Sequence, residues 1–134
     1  MKNFELTPSM LTLSGVFYPK GYVFIMFADA KDADQVAREV DSSPDEYGAV
    51  MRLSPATVLQ DIGKVDGQSG VELPSVGTEA ATVRKYVDLA RLGHCALMVK
   101  VSSDKDAERV VAAARKVGFS YGQRYHLLAM EDLE

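Results

Sequence analysis

The feature that most constrains this chain is a pattern that occurs twice. The segment Lys31-Asp32-Ala33-Asp34 recurs 74 residues later as Lys105-Asp106-Ala107-Glu108. The same spacing carries the apolar run Val23–Phe27 onto Leu97–Val101. In each copy an apolar run precedes a helical pattern, and a second short apolar run follows it. The repeat therefore predicts two consecutive strand–helix–strand units.

The two units predict the fold class. The halves cover about 20–54 and 94–131 of a single domain, 1–134, and a helical and glycine-rich insert, 55–93, joins them. Tandem units of this kind predict an α+β, ferredoxin-like split βαβ fold with a four-stranded antiparallel sheet in the order 4-1-3-2. Two extra helices are expected within the insert, through Ile62 and over Thr78–Leu92.

Composition places the chain among ordinary globular domains. Of its 134 residues, 47% are hydrophobic and 25% are charged. The apolar runs are too short to span a membrane, and no signal peptide is recognised, so we expect a cytoplasmic protein. The single cysteine, Cys95, is consistent with a reducing compartment. The net charge of −4 requires any binding of polyanions to use a local concentration of positive charge.

Alternation along the predicted strands divides their side chains between two faces of the sheet. Val23, Ile25 and Phe27 are expected to face the helices, as are Met51 and Tyr125 of the flanking strands. The opposite, open face is expected to collect two aromatic residues, four basic residues and a histidine: Lys20, Tyr22, Phe24, Arg52, Lys100, Arg124 and His126.

The first predicted strand also carries a family resemblance. Lys20-Gly21-Tyr22-Val23-Phe24-Ile25-Met26-Phe27 resembles the RNP1 octapeptide of the RNA-recognition motif (RRM) family, whose pattern is K/R-G-F/Y-G/A-F-V-x-F/Y. Val23 departs from the pattern, which has Gly or Ala there. Only 19 residues precede Lys20, so an RRM-like domain would have its halves in reverse order.

The resemblance and the expected open face predict a module that binds single-stranded RNA. Bases would stack on Tyr22 and Phe24. The basic side chains of the same face would contact phosphates and make the affinity fall with salt. These phosphate contacts are assigned to Lys20, Arg52, Lys100 and Arg124, and His126 is placed on the same face.

Two alternatives use the same aromatic residues differently. Tyr22, Phe24 and Met26 would also suit packing beneath the helix Thr78–Leu92, or against a second copy of the chain, because large apolar patches seldom stay exposed. The segment from Val83-Arg84-Lys85-Tyr86 through Arg91-Leu92-Gly93, with the predicted strand Leu97–Val101, is similar to bacterial heat-induced general stress domains. The second hypothesis is therefore a protein-interaction or stress-response module that forms a homodimer through the sheet face.

No catalytic, metal or cofactor site is predicted, and we expect a protein that is not an enzyme. Cys95 opens an apolar strand, which favours a buried and inert thiol. The pair His94-Cys95 has no further ligands at metal-binding spacing. His126 has no acidic partner that the sequence identifies.

Overall fold

The computed structural model describes residues 2–11, 17–40, 50–63, 77–126 and 130–133. Most of the glycine-rich part of the insert, 64–76, lies outside the described residues, as does the start of the predicted second strand, 48–49. No helix in the described part of the chain is long and apolar enough to cross a membrane.

The described residues form one six-stranded sheet in the order β1-β3-β4-β2-β5-β6. Its strands, in chain order, are β1 (Lys2–Asn3), β2 (Tyr22–Phe27), β3 (Val50–Leu53), β4 (Cys95–Lys100), β5 (Tyr121–Tyr125) and β6 (Met130–Asp132). The four central strands, β3, β4, β2 and β5, pair antiparallel with one another, whereas the edge strand β1 runs parallel to β3. The α+β class and the antiparallel arrangement are confirmed, and the outer strands β1 and β6 were not predicted.

The described residues also form a short 3-10 turn, Pro8–Met10, and four longer helical segments. They are α1 (Ala30–Val40), α2 (Pro55–Thr57, continued by a π-helical turn, Val58–Ile62), α3 (Gly77–Arg91) and α4 (Asp104–Val117). The helices α1 and α4 connect the strands within each half, and α2 and α3 lie between the halves, as predicted.

Local chemistry explains where these helices begin and end. Ser54 precedes the proline that starts α2, and its Oγ accepts the Thr57 N–H at 3.1 Å. Ser103 caps α4 in the same way, accepting the Asp106 N–H at 3.1 Å. Gly93 follows α3 with φ of +93°, a left-handed conformation that glycine adopts without a steric penalty.

Both faces of the sheet are buried. The face beneath α1 and α4 forms a core of mostly aliphatic residues, here named the aliphatic core. Its strand residues include Val23, Ile25, Leu97 and Val99, and its helix residues include Ala33, Val36, Val110, Ala113 and Ala114. The molecule is therefore built in three layers, because the opposite face is covered as well.

The second face is filled mainly by rings and methionines, and we name it the aromatic core. It lies between the sheet, α3, the π-helical turn and the segment that precedes β2. Its largest members are Phe17, Phe24, Met26, Met98, Tyr86 and Tyr125. This is the face that the sequence predicted to be open.

Candidate nucleic-acid interface

Phe24 does not lie on an open surface. Its exposed fraction is 0%, and its ring lies 4.1 Å from the Tyr86 ring of α3, centroid to centroid. Phe17 contacts it edge-on at 5.7 Å. A base cannot stack on Phe24 in this arrangement, so that part of the predicted RNA platform is wrong. The alternative prediction, that Phe24 and Met26 pack beneath the helix, is confirmed.

The same burial removes the predicted dimer interface. A second copy of the chain cannot reach Phe24 while α3 covers it. Met26 is also fully buried. Both side chains therefore lie inside the molecule and not at the surface that the predicted homodimer would use.

Two of the predicted phosphate contacts lie on the other side of the sheet. Arg52 is opposite Leu97 in the register, and its Nη1 lies 2.7 Å from Oδ1 of Asp34 in α1. Arg124 is opposite Val23, and its Nη1 lies 2.7 Å from Oδ1 of Asp104. Both arginines thus flank the aliphatic core and pair with carboxylates, which corrects their placement on an RNA-binding face.

The assignment of the two flanking strands fails for one physical reason. Arg52 lies between Met51 and Leu53, and Arg124 precedes Tyr125. The prediction turned these apolar and aromatic neighbours toward the only core that it assumed. The structure has two cores, and Met51, Leu53 and Tyr125 belong to the aromatic one. Continuous apolar runs such as Val23–Phe27 are typical of strands that are buried on both faces, and they were the available signal.

The remaining predicted residues lie together at one end of the sheet. Tyr22 begins β2 directly opposite Lys100, the last residue of β4. Lys20 precedes Tyr22 by two residues, and His126 follows the last residue of β5. We name this group, Lys20, Tyr22, Lys100 and His126, the basic end.

Side chains of the basic end are accessible to solvent to different degrees. Lys20 and Lys100 are exposed, whereas Tyr22 and His126 are partly buried. Tyr22 packs on one side against the aromatic core. The described ion pairs include neither lysine, so both ammonium groups are available to an anion.

A tight turn holds the basic end in place. The N–H of Tyr22 donates to the Pro19 carbonyl at 3.1 Å, and Gly21 has φ of +84°. Glycine is favoured at the third position of such a turn, because other residues are strained there. The Gly21 backbone is also tied to both neighbouring strands, since its N–H donates to Tyr125 and its carbonyl accepts from Val101, each at 2.9 Å. The Lys-Gly start of the octapeptide thus has a structural role.

Nearby acidic residues are engaged by other groups. Asp104 contacts Arg124. Oδ2 of Asp106 accepts the Ser102 hydroxyl at 2.6 Å and the Ser102 N–H at 3.2 Å, and these hydrogen bonds lower the pKa of the Asp106 carboxyl. The carboxylates closest in sequence to Lys100 therefore have partners other than the lysines.

Side chains with a thiol, a hydroxyl and an imidazole group, those of Cys95, Ser120 and His94, lie near the opposite end of the sheet. The Cys95 thiol is buried and points to the Phe27 carbonyl at 3.8 Å, and burial raises its pKa. The Ser120 hydroxyl donates to the Met26 carbonyl at 3.0 Å, so Nδ1 of His94, 2.8 Å away, is the donor in the His94–Ser120 hydrogen bond. The Ser120 hydroxyl proton is therefore held in a hydrogen bond to the backbone and is not donated to His94. Among the described residues, no group of three His, Cys, Asp or Glu side chains is placed to hold a metal ion.

Residues that cover the aromatic core were missed by the sequence analysis. The hydroxyls of Tyr86 and Tyr125 form a hydrogen bond of 2.7 Å inside this core. The Tyr18 hydroxyl donates to the His126 carbonyl at 2.7 Å, which ties the segment before β2 to the end of β5. Tyr86 lies within the predicted helix Thr78–Leu92, but its position over Phe24 depends on contacts that are distant in sequence.

The chain matches no protein-family model, and no curated protein or solved structure is significantly similar to it. The resemblance to the RRM family thus rests on the octapeptide alone and stays a prediction.

Proposed function

We propose that this chain binds single-stranded RNA through its basic end, and that it acts by binding rather than by catalysis. The observation that carries the proposal is the pairing of a partly exposed tyrosine with two exposed lysines. Tyr22 lies opposite Lys100 in the register, and Lys20 projects from the turn beside it. An aromatic ring flanked by cations is the combination that single-stranded nucleic acids bind.

Tyr22 and the two lysines of the basic end carry the proposed contacts. The accessible side of the Tyr22 ring stacks on one base, while its other side remains packed on the aromatic core. Lys20 and Lys100 contact phosphates. Because two lysines take part, we expect the logarithm of the affinity to fall with the logarithm of the salt concentration with a slope of about −1.4.

We also propose that the central strands and α1 and α4 form a ferredoxin-like unit related to the RRM family. Taken from β5 to β3, the four central strands have the order 4-1-3-2 when they are numbered along the chain. The helices α1 and α4 cover the same face of these strands. A cytoplasmic location fits an RNA-binding role and the single, buried Cys95.

Fluorescence anisotropy with a labelled single-stranded RNA, at several salt concentrations, tests the proposal. The variant Tyr22→Leu keeps an apolar side chain on the aromatic core but removes the ring. We expect it to weaken binding about tenfold, in line with ~1–3 kcal/mol per stacked base. Tyr22→Phe should bind like the unmodified protein, since the ring is retained.

Charge variants complete the test. Lys20→Gln and Lys100→Gln should each make the salt dependence shallower by about 0.7. The matched control is Lys31→Gln, which removes one exposed positive charge at the start of α1, beyond the opposite end of β2. Absence of binding at the lowest salt concentration, or unchanged binding by Tyr22→Leu and both lysine variants, would contradict the proposal.

A further inference from the structure

The outer side of α3 carries a second concentration of positive charge. Arg84, Lys85 and Arg91 are exposed. Arg84 and Arg91 are seven residues apart, two turns along the same line of the helix, and Lys85 lies about 100° around the helix from Arg84. We name these three residues the basic face of α3. Asp88 is the acidic residue among the described side chains of this helix, and its Oδ1 lies 3.7 Å from Nη1 of Arg91. The chain as a whole has a net charge of −4, so this excess of positive charge is confined to a local part of the surface.

An aromatic ring lies at the foot of this surface. Nζ of Lys85 is 5.8 Å from the centroid of the Tyr121 ring, a distance at which a cation is attracted to the ring. Tyr121 is partly buried, and its hydroxyl accepts a hydrogen bond from Nε2 of Gln123 at 2.9 Å. The ring also contacts Tyr86 edge-on at 5.7 Å. Lys85 is therefore positioned above the sheet on the same side as the aromatic core.

The basic face of α3 and the basic end lie on the same side of the sheet. Tyr121 is opposite Met26 in the register, and Met26 and Tyr22 are four residues apart on β2. At 3.4 Å per residue, Tyr121 and Tyr22 are separated by about 14 Å along the strands. Single-stranded nucleic acids occupy sites of about 4–16 nucleotides on small domains, so one strand can reach both places.

From this placement we infer that the basic face of α3 is a second contact surface for the same RNA strand. The inference rests on the proposed function and extends it to the length of RNA that is recognised. A short strand contacts Lys20, Tyr22 and Lys100 alone, whereas a longer strand continues past Tyr121 to the arginines and the lysine of α3. RNA is favoured over an acidic protein because half-accessible rings accompany the cations at both places.

The length dependence of binding tests the inference. Anisotropy is measured with labelled single-stranded RNAs of about 4 and about 12 nucleotides, which bracket the lower part of the known range. We expect the longer RNA to bind at least tenfold more tightly. The triple variant Arg84→Gln/Lys85→Gln/Arg91→Gln should remove this gain and make the salt dependence for the long RNA shallower by about 2. Binding of the short RNA should not change.

A matched variant controls for the loss of three charges. Lys31→Gln/Arg38→Gln/Arg109→Gln removes three exposed cations from α1 and α4, on the opposite side of the sheet. This control should keep the full gain with length. Equal effects of the two triple variants, or a gain with length that the α3 variant retains, would overturn the inference and leave the basic end in place.

Other outcomes separate the inference from the proposed function. No binding at any length overturns both. Loss of all binding in the α3 variant, with Tyr22→Leu unaffected, overturns the basic end as the primary site and supports the basic face of α3. Competition by poly-glutamate as effective as that by unlabelled RNA would overturn RNA as the ligand of α3.

Discussion

The two faces of this sheet are sealed by different kinds of side chain. Beneath α1 and α4 the core is mostly aliphatic and includes small helix residues such as Ala33 and Ala114. Beneath α3 the core is built mainly from rings and methionines, and Tyr86 of the helix packs against Phe24 of the sheet. The comparison teaches that an aromatic strand face can be interior packing even where its sequence matches a binding motif.

The largest expected effect comes from removing a ring of the aromatic core. Phe24→Ala should lower the free energy of unfolding by about 3–5 kcal/mol, because the ring is fully buried between Phe17 and Tyr86. Chemical denaturation followed by circular dichroism measures the change. Leu92→Ala is the control, since Leu92 is 76% exposed, and it should have little effect. A loss below about 1 kcal/mol for Phe24→Ala would indicate an open face.

Enlarging a residue of the aliphatic core should have the next largest effect. Ala114→Leu should destabilise the protein by about 1–3 kcal/mol, because the fully buried Ala114 lies where α4 packs against the sheet. Ala112→Leu makes the same change on the exposed side of the helix and should be nearly neutral, since both residues favour helices. Equal denaturation midpoints for the two variants would show that this face is not tightly packed.

These two predictions reflect how far the sequence determined the fold. The strand–helix–strand pattern predicted a helix after the first strand, and Ala33, Val36 and Val40, which recur at helical spacing, are buried in α1. Phe24 is covered by Phe17, which precedes it in the sequence, and by Tyr86, which follows it 62 residues later. No local pattern links these three residues, so the sequence alone left open whether this face was covered.

The sequence predicted the residues of the candidate site less accurately than it predicted the fold. Tyr22 and Lys100 come together because the two central strands pair as expected. Arg52 and Arg124 lie on the strand sides opposite Met51, Leu53 and Tyr125, as expected. Which face of the sheet the arginines occupy depends on which core those neighbours join. Their carboxylate partners, Asp34 and Asp104, belong to α1 and α4 and explain why arginines are tolerated at the rim of the aliphatic core.

The Tyr86–Tyr125 hydroxyl pair offers a smaller test that is specific to the aromatic core. Tyr86→Phe and Tyr125→Phe should each cost about 1 kcal/mol, because each removes the same buried 2.7 Å hydrogen bond. In a double-mutant cycle the combined loss should be smaller than the sum of the single losses. Additive losses in thermal or chemical unfolding would show that the two hydroxyls do not interact.

The smallest expected effect concerns pH and the start of α4. Hydrogen bonds from Ser102 lower the pKa of Asp106 in the folded protein, so the carboxylate stabilises the fold above the pKa of the unfolded chain. This stabilisation should be lost as the pH falls below about 4 and through the folded pKa. Unfolding curves at a series of acidic pH values measure it. Ser102→Ala should reduce this contribution to the pH dependence, and an unchanged pH profile would contradict the assignment.

Solvent access to the methionines of the aromatic core tests the closed face most directly. Met26 and Met98 have exposed fractions of 0%, and single Met→Leu variants assign their methyl signals in a protein labelled at methionine methyl groups. A soluble paramagnetic agent broadens the NMR signals of methyl groups that solvent reaches, and Leu92→Met supplies an exposed reference. We predict that the Met26 and Met98 signals stay sharp while the reference signal broadens. Equal broadening of all three would mean that the aromatic face is open, which would contradict the burial of Phe24 beneath α3.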